Sequence, residues 1–149
     1  MTQNLRDLIA ERADTYVEWL TEACSIPSLA ERPEGLTRMA AWLEEKMGSL
    51  GLSVSRLPVP GAPDALLGEG GNGERTVLVY DHYDVQPVDP IDLWDTQPFE
   101  PEIRNGKLFA RGAADNKGDL IARLASLDAY REVNGELPLH YKLLIEGEE

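Results

Sequence analysis

The sequence predicts an α/β domain in which helices are layered on a mixed, largely parallel sheet in an αβα arrangement. Three observations carry that expectation. Apolar residues recur at three- and four-residue steps in three separate stretches, the one-sided stripe of a packed helix. Between them lie short runs with a period of two and β-branched content, which read as strands. The two kinds of segment alternate along the chain, although paired strands early on keep it from being a simple series of βαβ units.

Leu5, Leu8, Ile9, Ala13, Tyr16, Val17 and Leu20 place a first helix near 4–24. The segment SIPSLAERPEG, with two prolines and a glycine, reads as a loop, and Leu36, Met39, Ala40, Leu43, Met47 and Leu50 then mark a second helix that Gly51 closes. From Leu52 the period changes to two in LSVSRLPV, DALLGEG and TVLVYD, of which TVLVY is the expected central strand. DVQPVDPIDLWDTQPFEP contains four prolines and reads as irregular structure; EIRNGKLFARG reads as a hairpin about Asn105-Gly106. Leu120, Ile121, Leu124 and Leu127 mark a third helix from Asn116 to Val133, with Asp115 at its N-cap and Asn134-Gly135 at its end. LPLHYKLLI is a last buried strand. No internal repeat or low-complexity segment interrupts this order.

Composition narrows the class of protein. The chain has 149 residues, 42% of them hydrophobic, enough to bury about two-thirds of the unfolded surface in one core. Its lone cysteine, Cys24, has no internal disulfide partner. No apolar run approaches the roughly 18 residues of a membrane span, and charges interrupt the first twenty residues, so the expected location is the cytoplasm and no membrane is involved. A net charge of −13, spread along the chain, would repel phosphates, so no nucleic-acid partner is expected.

Gly68-x-Gly70-x-x-Gly73 matches a dinucleotide fingerprint in letters only, because it runs into a strand where a phosphate-binding loop must open a helix. Its glycines read instead as turning one strand into the next. The ends of predicted strands are more informative, since α/β sheets build sites there. His82 and Asp84 follow TVLVYD, Asp115 precedes the third helix, and Glu146, Glu148 and Glu149 follow the last strand. One imidazole and several carboxylates suit a borderline cation such as Zn²⁺, and carboxylate oxygens can bridge two ions, which points to metal-assisted hydrolysis. By position alone, a strand-end histidine is also an ordinary polar residue, an aspartate before a helix an ordinary cap, and terminal glutamates a solvated cluster.

Four motifs in order shift that balance: His82-Tyr-Asp84-Val-Gln-Pro87; Trp94-Asp-Thr-Gln-Pro-Phe99-Glu-Pro101; Gly106-Lys-Leu-Phe-Ala-Arg111-Gly-Ala-Ala-Asp115-Asn-Lys117-Gly118; and Glu146-Gly-Glu-Glu149. Together they resemble the M20 family of dizinc metallopeptidases, and within it are similar to the carnosine-dipeptidase-like branch. The resemblance implies that His82 binds one of two Zn²⁺ ions, that Asp115 bridges both, and that Asp84 supports His82. Residues two apart in a strand point the same way, so Asp84 can accept the hydrogen bond of the imidazole's other nitrogen. A cis peptide between Asp115 and Asn116 is implied as well. Counting from Glu146-Gly147 makes Glu149 the general base, its zinc-binding neighbour falling at position 150; the other register makes Glu148 the base and Glu149 a ligand. The implied chemistry is attack of a metal-bridged water, deprotonated by that glutamate, on the amide of a dipeptide or N-acyl amino acid.

Further metal ligands and a lid domain follow this segment in the family. The resemblance therefore implies that residues 1–149 form the amino-terminal part of a catalytic domain, its sheet incomplete at the C-terminus, and that the full-length protein forms a homodimer through the absent lid. The contrasting expectation is a noncatalytic fragment without activity of its own. His140 lies near the beginning of its strand, away from Glu149, and is not assigned as a ligand. Cys24 reads as a small buried residue, and Trp94 and Phe99 as pins of the proline-rich loop.

Overall fold

The computed structural model describes residues 4–149. The first helical stretch is two helices, α1 (Leu5–Glu11) and α2 (Ala13–Cys24), which meet at Arg12. Apolar periodicity runs through both and does not register this break. There the Arg12 guanidinium lies 2.7 Å from Asp128 and 3.3 Å from Glu132, both on the last helix.

The next helix, α3 (Pro33–Ser49), begins inside the expected loop, with Pro33 in its first turn where the missing N–H costs nothing. Gly35 is required within it, because any Cβ there would collide with the Pro27 carbonyl. Its C-terminus closes on Gly51 as expected: φ is 75°, and the amides of Gly51 and Leu52 return to Gly48 and Met47 at 2.9 and 3.1 Å.

Strands β1 (Ser53–Leu57), β2 (Ala65–Gly70) and β3 (Thr76–His82) follow. The proline-rich loop contains one short 3₁₀ turn, Ile91–Leu93, and Trp94 donates its indole N–H across the loop to Val88 at 2.9 Å. The expected hairpin is formed by β4 (Glu102–Arg104) and β5 (Lys107–Phe109). Its turn has φ of 51° at Asn105 and 72° at Gly106, the backbone of a type I′ turn. Helix α4 (Lys117–Asn134), ended by Gly135, and strand β6 (His140–Glu146) complete the chain.

The main sheet is mixed, with order β1-β2-β6-β3. Its β3/β6 pairing is parallel, whereas β1/β2 and β2/β6 are antiparallel. Strand β3, expected at the centre, therefore lies at the edge among the described residues. Gly68 and Gly70 are not turn residues but lie within β2, where a Cβ would press on Met47 and Leu52; Gly71, with φ of 77°, makes the turn.

Leu66, Leu143 and Ile145 from the sheet pack with Met39, Leu43 and Met47 of α3 and Leu120, Leu124 and Leu127 of α4 in one apolar core. The alternation of β3 sends Val79 and Asp81 to this side. On the other side Leu78 and Tyr80 are 62% and 52% exposed. Among the described residues no helix is long and apolar enough to cross a membrane.

Candidate metal centre

Two parallel strands bring the site together. In the β3/β6 register His82 stands opposite Glu146, so the residues that follow both strands emerge side by side at their carboxyl ends. The ladder extends one step further, the Tyr83 amide donating to the Glu146 carbonyl at 2.8 Å. From below, the IPS turn clamps this segment: Ser28 Oγ donates to the Tyr83 carbonyl at 2.7 Å, and the Val85 amide donates to the Ser28 carbonyl at 2.9 Å. Tyr83 is buried with its hydroxyl on the Asp64 carbonyl, and desolvation pushes its pKa up to about 12. Its ring fills the space beside Gly147, where a side chain would collide with it.

His82 and Asp84, both buried, point the same way. Nδ1 of His82 lies 3.2 Å from Oδ1 of Asp84, and that oxygen also accepts the Glu149 amide at 3.3 Å. Nε2 faces outward, 3.3 Å from Oδ1 of Asp115 and 3.7 Å from Oε2 of Glu149. The other two glutamates point elsewhere: Tyr80 holds Glu146 through its hydroxyl, and Glu148 lines a separate cavity of about 470 Å³ with Leu36, Arg56 and Tyr83. His140 pairs with Thr76 at the opposite end of both strands.

Asp115 is not the cap of α4. Asn116 occupies that position, makes no side-chain cap hydrogen bond, and follows a cis peptide. Both cap-competent side chains are engaged elsewhere, Asp115 with His82 and Asn116 with Asp81. Asp81, buried on the helix side of β3, accepts Nδ2 of Asn116 at 2.6 Å and Nη1 of Arg123 at 2.9 Å on one oxygen, Oδ1. Burial pushes its carboxyl above the usual range, against the lowering effect of Asn116 and Arg123.

Lys117, fully buried, donates to the carbonyls of Ala23 and Ile26 at 2.9 and 2.7 Å and so ties the start of α4 to the end of α2. Desolvation lowers its pKa to about 8. Cys24, also buried, has its thiol pushed up to about 11 by desolvation and stays protonated at neutral pH.

Asp81 and Ser28 were not singled out from the sequence, and Asn116 and Lys117 entered as members of a motif, without the contacts they make. Two signals were present: Asp81 is a charge inside an apolar strand, and Lys117 occupies the stripe that continues through Leu120, Ile121 and Leu124.

The donor atoms of His82, Asp115 and Glu149 all lie within 4.8 Å of one another, and this set fits a zinc ion. An imidazole nitrogen with carboxylate oxygens is a zinc donor set. The 3.3 Å between Nε2 and Oδ1 is also the separation of two ligands on a tetrahedral ion with bonds of about 2.05 Å. A carboxylate behind the second imidazole nitrogen, as Asp84 is here, is the usual support of a zinc-bound histidine.

Fold and site define a class: an α/β domain that gathers one imidazole and two carboxylates at the carboxyl ends of two parallel strands. Residues 78–149 match the model of Peptidase family M20/M25/M40, and the chain is similar to the M20 peptidases. It is 33% identical over 97% of its length to the Cys-Gly metallodipeptidase dug1 of Schizosaccharomyces pombe, of which it covers 34%. The crystal structure of human carnosine dipeptidase 1 superposes with a TM-score of 0.89 at 32% identity, over 96% of this chain and 34% of that one. An M20 family metallo-carboxypeptidase of Sulfolobus solfataricus, Sso-CP2, gives 0.83 at 39% identity, over 90% of this chain and 31% of that one. The chain thus spans about a third of the length of the relatives it matches.

Proposed function

We propose that this chain is the amino-terminal part of the catalytic domain of a cytoplasmic, zinc-dependent dipeptidase that hydrolyses the amide bond of dipeptides or related N-acyl amino acids. The observation that carries the reading is the convergence of His82 Nε2, Asp115 Oδ1 and Glu149 Oε2, at 3.3 and 3.7 Å, on the carboxyl ends of two parallel strands. His82 and Asp115 would hold the metal, Asp115 offering a second oxygen to a second ion. When bound, two zinc ions supply polarisation of the amide carbonyl and a water acidified toward neutrality.

The chain's own groups do the rest. Asp84 holds the His82 ring with Nδ1 toward the carboxylate, which leaves Nε2 free to bind and raises its basicity. Glu149, half-exposed with its amide fixed on Asp84, takes a proton at its carboxylate from the attacking water and returns it to the leaving amine. Glu148 points away from His82, which favours Glu149 as the base over the alternative register. The remaining ligands, the lid and the homodimer contacts would be contributed by sequence outside these residues.

The test is hydrolysis of Cys-Gly, β-Ala-His and N-acetyl amino acids by the product of the complete reading frame. Turnover should vanish on chelation and return with Zn²⁺. Turnover that survives complete removal of metal would overturn the proposal.

A further inference from the structure

The start of α4 is matched to β3 residue by residue. His82 meets Asp115 on the outer side, and its neighbour Asp81 meets Asn116 on the inner side, at 3.3 and 2.6 Å. Adjacent residues of an extended strand face opposite ways, so two successive residues of β3 each hold one of two successive residues before α4.

Asp115 needs such help. Its side chain is 70% exposed and, among the described residues, its hydrogen-bond partner is His82, so its direction is set largely by the backbone that carries it. That backbone is fixed by Asn116 on Asp81 and by Lys117 on the carbonyls of Ala23, in α2, and Ile26, just beyond it.

Asp81 is an expensive way to fill the core. Its side chain is fully buried and, among the described residues, Oδ2 has no hydrogen-bond partner. A buried polar atom left unmatched is destabilising, and an apolar residue there would carry no such cost. Its other oxygen gathers two donors from α4 and the residue before it. Arg123, 37% exposed, lies seven positions beyond Asn116, two turns along the same helix, so Asp81 grips the first part of α4 at two points.

We propose that Asp81 is a positioning residue for the metal centre: through Asn116 and Arg123 it fixes the start of α4 on β3 and thereby sets the separation of Asp115 from His82. The inference rests on the reading of His82 and Asp115 as metal ligands.

The experiment measures Co²⁺ binding to the product of the complete reading frame, by affinity and by the visible d–d bands that report ligand geometry, alongside thermal unfolding of the metal-free protein. In Asp81→Asn the affinity should fall about tenfold, the low end of the range for groups supporting a ligand, and the bands should shift. The exchange Asp81→Asn with Asn116→Asp keeps an amide donor facing a carboxylate and an oxygen for Arg123, and should restore both. Arg123→Met, at a partly exposed position, should give a smaller loss with the same band shift, and serves if Asp81→Asn does not fold. A merely structural role predicts lower thermal stability with unchanged affinity and bands. Unchanged affinity in these variants, or an exchange that restores stability but not the bands, would overturn the proposal. If His82→Ala binds Co²⁺ as the unaltered protein does, the metal-site reading itself fails; if only His82→Ala loses binding, the positioning role alone fails.

Discussion

Oδ1 of Asp84 lies 3.2 Å from Nδ1 of His82, with both side chains buried, and it also takes the Glu149 amide at 3.3 Å. One carboxylate oxygen therefore sets the imidazole's orientation and the start of the segment bearing Glu149. Replacing it by an amide keeps the shape and removes the charge. Asp84→Asn should lower zinc affinity about 10–100-fold, as loss of a supporting carboxylate does, with little change in far-UV circular dichroism. Competition against a zinc chelator measures it, and unaltered affinity would remove Asp84 from the site.

Glu149 and Glu148 are adjacent and both exposed, yet they face different surroundings. Glu149 stands 3.7 Å from His82, and Glu148 borders the cavity beside Tyr83. Loss of a general base costs about 10²–10⁴-fold in kcat. Glu149→Gln in the product of the complete reading frame should show a loss of that size, whereas Glu148→Gln should stay within a few-fold. The reverse pattern would select the register in which Glu148 is the base.

Lys117 is a buried cation whose ammonium closes two carbonyls at the end of α2. Lys117→Met fills similar volume but leaves the Ala23 and Ile26 carbonyls unmatched. By the cost of buried unpaired groups and of lost charged hydrogen bonds it should destabilise by roughly 2–4 kcal/mol. Urea unfolding followed by fluorescence reads this directly. A change below about 0.5 kcal/mol, ordinary for a surface substitution, would mean that the two bonds stabilise little.

What the sequence made legible were features written in local chemistry. Asn105-Gly106 specifies its own turn, Gly51 its own helix end, and the apolar stripe of α4 its buried face. His82 and Asp84 could be placed on one side of a strand end from their spacing alone. Features decided by tertiary partners escaped. Nothing local marks Arg12 as the end of α1; its ion pairs lie more than a hundred residues away on α4. Asp115 has the letters of a cap, but two successive residues, Asp115 and Asn116, are drawn off by His82 and Asp81, which no local rule anticipates. The edge position of β3 was hidden for a similar reason. Val79 packs against the core while Leu78 and Tyr80 give the opposite face the apolar character of a strand covered on both sides.

Tyr16 provides a pH-dependent test of how α2 is joined to α4. Its hydroxyl donates to Oδ2 of Asp128 at 2.9 Å, beside Arg12 on the same oxygen at 2.7 Å. Burial first, and then the bond to Asp128, pushes the phenol up to about 12. An unfolded tyrosine loses its proton near 10, so between those values the folded chain binds more protons than the unfolded one. Stability from this group is complete below about pH 10 and is lost as the pH rises through about 12. Tyr80 and Tyr83, also raised to about 12, act in the same direction, so Tyr16→Phe should flatten the alkaline decline without abolishing it. Below pH 9 the variant should show a constant, pH-independent loss from the missing hydrogen bond, of about 0.5–1.5 kcal/mol. Urea midpoints at half-unit intervals from pH 7 to 11.5 measure both parts. An unchanged slope above pH 10 would mean that the Tyr16 phenol titrates alike in the folded and unfolded chains, and that its contact with Asp128 does not hold α2 on α4.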